Sequence, residues 1–143
     1  MKKSIIISII SMVLLMVTLP QSKVFAIIKE ADLIAEMKYQ GWTVSSNRFV
    51  DLKEGESCSW WYKSFFSNHE YKIVAFSEDD DVTDIDIEVQ YTDGTSYRKD
   101  DDNDDLAVVQ FNCYTTKVLG VRITNYASDS YYASRCKFIV FYR

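Results

Sequence analysis

From Thr83 to Tyr91 the chain alternates without a break, with Ile85, Ile87, Val89 and Tyr91 on one side and Asp84, Asp86, Glu88 and Gln90 on the other. A period of two places the first set on one face of a β-strand and the second on the opposite face, so this segment needs a core on one side and water on the other. Asp93-Gly94 follows directly, and an Asp-Gly pair between two β-like runs predicts a hairpin because glycine accepts positive φ at little cost. Residues 95 to 98 are then the returning strand. Further segments of strand length fall at about 57 to 66, 70 to 77, 106 to 113, 118 to 126 and 134 to 142, separated by polar or glycine-containing turns. Seven strands and no internal repeat predict an all-β sandwich. One exception precedes them: residues 29 to 38 place Leu33, Ile34 and Met37 at helical spacing, with acids early, Lys38 late and Gly41 as a stop.

The N-terminus reads as a leader. Lys2 and Lys3 precede an apolar run from Ile5 to Leu19, then Pro20 and Val24-Phe25-Ala26, which is the pattern of a secretory signal peptide cut after Ala26. The run is too short to cross a hydrocarbon core of about 30 Å. The expected organisation is a signal peptide at 1–26, a short helix within 27–40 and a β-sandwich over 41–143, with the mature chain secreted or periplasmic, soluble and monomeric. Removing the leader takes Lys2, Lys3 and Lys23 from the 16 basic residues and none of the 21 acids, leaving 13 against 21. Such an excess of acid disfavours nucleic acid and anionic membrane surfaces, which need clustered Lys and Arg.

Cys58, Cys113 and Cys136 all lie in the exported part, where oxidation is permitted. Strands that each reverse the one before put Cys58 and Cys136 at one end of the sandwich and Cys113 at the other. A Cys58–Cys136 bridge is then the least strained pairing, with three unpaired, mostly buried thiols as the alternative.

Between Glu78 and Asp105 lie 13 of the 21 acids, with only Arg98 and Lys99 against them. Asp79, Asp80 and Asp81 sit in one loop, Asp84 and Asp86 on the alternating strand, and Asp100, Asp101, Asp102, Asp104 and Asp105 in a second loop. The two loops flank the same hairpin. Crowded carboxylates repel one another, and a hard divalent cation taking 6 to 8 oxygens relieves that repulsion, calcium being the natural candidate. The alternative is that the acids solvate the surface and block edge pairing. The spacing is not that of an EF-hand.

The run Trp60-Trp61-Tyr62 is the second conspicuous feature. On a strand Trp60 and Trp61 point to opposite faces, so one belongs to the core, while the other is a candidate platform for a sugar ring or a partner's apolar group. No catalytic signature accompanies it: there is no Gly-x-Ser-x-Gly elbow, and the lone His69 sits in a predicted turn, Asn68-His69-Glu70.

Gly41-Trp42, the segment EYKIVAFSEDDDVTDIDIEVQYTDG, the Lys99-Asp100 step, the AVVQF run and the VRITNY strand together resemble the bacterial pre-peptidase C-terminal (PPC) type of domain. The resemblance covers about residues 41 to 142. It implies an antiparallel jelly-roll-like β-sandwich and a non-catalytic role, such as binding a matrix or assisting secretion, in some similar modules with calcium. The expected function is therefore an exported binding or accessory module meeting a protein or polysaccharide of the envelope or surroundings. A small secreted inhibitor or protein-recognition module is the alternative, and a hydrolase the remaining one.

Overall fold

The computed structural model describes residues 29–143, so the expected leader lies outside the described residues. Helix α1 (Glu30–Tyr39) is followed by eight strands: β1 (Thr43–Leu52), β2 (Trp61–Phe65), β3 (His69–Ser77), β4 (Val82–Tyr91), β5 (Ser96–Asp100), β6 (Leu106–Cys113), β7 (Lys117–Ser128) and β8 (Ser134–Tyr142). They form two antiparallel four-stranded sheets, ordered β1-β8-β3-β6 and β2-β7-β4-β5. The chain crosses between sheets at every step except the β4–β5 hairpin. Eight strands wound in this order make a jelly roll.

Seven strands were expected and eight are present. The additional one is β1, an edge strand. Its less exposed positions, Val44, Ser46, Val50 and Leu52, do alternate with exposed ones, but they include a serine while Phe49 stands exposed, so the residue types do not show a dry and a wet face. Successive strands do reverse direction as expected, but most of them lie in opposite sheets rather than side by side.

Between the sheets sits the main core, built from Phe65, Tyr71, Ile73, Ile85, Ile87, Val89, Phe111, Leu119, Val121, Ile123, Phe138 and Val140 among others. A second cluster lies on the outside of the first sheet, where Val74, Phe76, Ile139 and Phe141 meet Met37 and Trp42, with Leu33 and Ile34 of α1 packed against them. The helix covers that face, which is why β3 and β8 read as continuous apolar runs while β4 alternates. Lys137 pins the helix start by reaching Glu30 at 2.8 Å and Glu78 at 2.7 Å. At the other end of α1, Trp42 N–H donates to Met37 O and Gly41 N–H to Lys38 O, with Gly41 at φ 85°. This is a Schellman stop, and it needs a residue that tolerates the left-handed region.

Cys58, Cys113 and Cys136 are free thiols, so the expected Cys58–Cys136 bridge is not formed. Instead, the Cys58 sulfur accepts the Ile123 N–H at 3.3 Å and Cys136 is fully buried in the core. Cys113 pairs with His69 across β6 and β3, at the end of the sandwich opposite the start of β8 that carries Cys136.

Candidate functional site

The end of the sandwich where β3 and β5 finish and β4 and β6 begin carries both acidic loops. The start of β4 is stitched to the second of them by Ile85 N–H donating to Asp104 O at 3.0 Å. The crowding expected from the sequence is real, but it is divided among separate places. Asp79 Oδ2 accepts the Arg135 N–H at 2.7 Å, and Asp81 Oδ2 accepts the Ser134 hydroxyl at 2.7 Å, so both are tied to the start of β8. Asp80 lies apart, in a concavity with Thr83, Asp105 and Asp129. Asp100 holds the Val108 and Asp102 N–H groups, and Asp104 holds that of Leu106. These are loop-forming roles of the Asx type.

Asp84, Asp86 and Asp101 behave differently. With Asn103 and Tyr126 they line a concavity of about 220 Å³. Register irregularities lie on either side of Asp84, and within the concavity it is covered: it is 7 % exposed and its Oδ1 is buried without a hydrogen-bond partner. Burial, and then the charge of Asp104, raises the Asp84 carboxyl above its ordinary range. Asp86 is pushed up to about 6 by burial, followed by the charges of Asp84, Asp101 and Asp100. Asp101 goes the other way, lowered by its hydrogen bond from Lys99. A carboxylate with a raised proton affinity and no partner cation is one that any small cation would stabilise. The oxygen donors available to a hard ion are the three carboxylates and the Asn103 amide oxygen. Among the described residues no three His, Cys, Asp or Glu side chains are already drawn together as a metal-ligating group. Asp101 would have to exchange Lys99, an exposed partner held weakly by comparison with a buried one.

No protein-family model and no curated protein matches the chain.

The tryptophan pair divides as the strand period requires. Trp61 faces the core, its ring 5.6 Å from that of Phe138 in the opposite sheet. Trp60 and Tyr62 lie on the outer face of the second sheet. There the Arg122 guanidinium stacks 4.5 Å from the Trp60 ring centre and bonds Glu88 at 2.6 Å, while Gln90 donates to the Tyr62 hydroxyl at 2.9 Å. Gly120 pairs with both Tyr62 and Gln90, and a Cβ there would meet the Tyr62 ring at 2.8 Å and the Trp60 ring at 3.1 Å. Its missing side chain lets both rings lie flat on the sheet. Asp86 and Glu88 share this outer face with Arg122 and Thr124 through their cross-strand pairing, so the platform and the acidic concavity form one continuous surface. The sequence reading missed Arg122, Gln90 and Tyr126, because their meeting depends on register across β2, β7 and β4.

Proposed function

We propose that the protein is an exported, non-catalytic binding or accessory module whose outer second-sheet face meets its ligand and whose acidic end takes a calcium ion. The observation that carries the reading is Asp84: a carboxylate oxygen buried and unpaired on the wall of a concavity it shares with Asp86, Asp101 and Asn103. Burying such an oxygen costs free energy unless something satisfies it. A divalent ion at this point satisfies it and offsets the neighbouring charges that, after burial, raise Asp86. The jelly-roll strand order is the fold that the resemblance to PPC-type domains implied, and that resemblance led to the same expectation of a module rather than an enzyme. The cysteines also favour a module: burial raises the thiols of Cys113 and Cys136, the latter to about 12, away from nucleophilic thiolate.

The test is a thermal melt. An ion that binds only the folded state stabilises it by RT ln(1 + [L]/Kd), about 2.7 kcal/mol at a hundredfold excess over Kd. Millimolar calcium raises the melting temperature and chelator reverses the rise; an unchanged melt removes the ion from the reading.

A second reading, protein recognition, draws on Tyr131 and Tyr132. They stand side by side between β7 and β8, 97 % and 81 % exposed. Double replacement by Ala abolishes capture of a protein partner from envelope or culture fractions if that reading holds, and leaves calcium binding intact.

A further inference from the structure

On the outer face of the second sheet, four residues stand in one row from β5 to the start of β2. Lys99 on β5 is directly opposite Glu88 on β4, and Glu88 is directly opposite Arg122 on β7. Trp60, just ahead of β2, ends the row, its ring 4.5 Å from the Arg122 guanidinium. Residues paired across antiparallel strands hold their Cβ atoms about 4.5–5.5 Å apart on one face, so opposite charges alternate along the row at contact spacing.

The row is broken at one point. Arg122 donates to Glu88 Oε2 at 2.6 Å, and Glu88 Oε1 has no partner among the described residues. Lys99 passes over Glu88 and bonds Asp101, two residues along its own chain. Asp101 is a wall of the acidic concavity, so Lys99 supplies a positive charge at the mouth of that concavity. It is the charge that opposes the rise of Asp86.

Three acids raise the Lys99 ammonium above its ordinary range: Asp101 first, through its hydrogen bond, then Asp86 and Glu88. Two of the three line the concavity with Asp84, whose Oδ1 is buried and unpaired. Those two are also carboxylates that a divalent ion in the concavity would take. An ion there withdraws both from Lys99 and repels its charge. Glu88 is the acid that remains within reach, with Oε1 open to accept.

We propose that Lys99 is a tethered competitor that sets the ion affinity of the concavity: it holds Asp101 until calcium takes that carboxylate, and it is then handed to Glu88 Oε1. The inference rests on the calcium reading of the site. Because Lys99 and Asp101 are both exposed, the competition costs the ion no more than one surface pair, a few-fold in affinity. The handover completes the row from Lys99 to Trp60. Ion binding at one end of the face thereby fastens the aromatic platform at the other.

The experiment is a calorimetric titration of the chelator-stripped protein with calcium, at about 0.15 M salt so that distant charges are screened. It compares wild type, Lys99→Met, Glu88→Gln and the double variant, each first melted to show that it is folded. Lys99→Met is expected to bind calcium about three- to fivefold more tightly, the worth of one exposed pair. Glu88→Gln is expected to weaken binding at least about twofold more when Lys99 is present than in Lys99→Met, because only a displaced Lys99 needs an acceptor. Calcium is also expected to shift the Trp60 indole resonance, assigned with Trp60→Phe, in wild type and not in Lys99→Met. No calcium binding by wild type would remove the calcium reading and this inference together. Three results would overturn the inference and leave the calcium reading standing: an affinity unchanged in folded Lys99→Met, an equal effect of Glu88→Gln in both backgrounds, or a Trp60 shift that persists in Lys99→Met.

Discussion

Ile85 donates its backbone N–H to the carbonyl of Asp104 at 3.0 Å, and through that one bond the start of β4 is fastened to the loop between β5 and β6. Asp84 and Asp86 come from the strand, and Asp101 and Asn103 from the loop. Without the stitch the two acidic segments would relax apart under their own repulsion.

Asp86 carries the consequence of this packing. Burial first, and then the charges of Asp84, Asp101 and Asp100, push its carboxyl up to about 6, against 3.8 for the unperturbed group. The folded state therefore binds more protons between those values. The favourable contribution is complete below about pH 4 and is lost as pH rises through about 6. Glu30, Glu70 and Glu78 have lowered values and the opposite sign, so the comparison with a variant isolates Asp86. In chelator, Asp86→Asn is expected to be more stable than wild type at pH 7 by about 1 kcal/mol, after allowance for solvent screening, and equal to it at pH 4. Urea titrations at the two pH values read this out.

Gly120 tests the platform. Alanine there drives a methyl group against the Tyr62 and Trp60 rings and forces Tyr62 off Gln90. The expected cost is about 1–2 kcal/mol, with the altered packing of Trp60 seen in its fluorescence. Unchanged stability and emission would mean that the rings do not lie on the sheet.

Lys137 holds two carboxylates at once, with its side chain only 13 % exposed. Lys137→Met leaves Glu30 and Glu78 facing each other unneutralised. The expected loss is about 1–3 kcal/mol at pH 7, shrinking at acid pH as the two carboxyls, which Lys137 holds below their ordinary range, take up protons. Faster amide exchange confined to α1 would confirm that the helix is the part released.

The thiols offer a simple count. With Cys136 fully buried and its thiol pushed up to about 12, alkylation at pH 8 is expected to spare Cys136 and Cys113 in the folded protein and to label all three cysteines in denaturant. Rapid labelling of native Cys136, read by mass spectrometry, would contradict the packing at the start of β8.

The strand β4 was legible in the sequence because one face is dry and the other wet. So were β6 and β8, whose bounds of 106 to 113 and 134 to 142 match those found, although nothing in a single strand shows that α1 buries the second face of β8. The edge strand β1 was not legible, since its exposed side chains carry little contrast. Asp84 was read as a wet-face partner of Asp86, and the two do share one concavity, but the loop and Tyr126 that cover Asp84 there are invisible to a period of two. The acids were counted correctly, but which of them meet depends on loop hydrogen bonds that composition does not encode.

The proposed calcium site at Asp84 is tested most directly by calorimetric titration of the chelator-stripped protein at pH 7, alongside Asp84→Asn and Asp80→Asn. The expected result is saturable binding of one ion per chain, with Kd of about 10⁻⁴–10⁻³ M as in extracellular modules, abolished in Asp84→Asn and preserved in Asp80→Asn, whose side chain lies in a different concavity. No saturable heat with the wild type, or equal binding by folded Asp84→Asn, would contradict it.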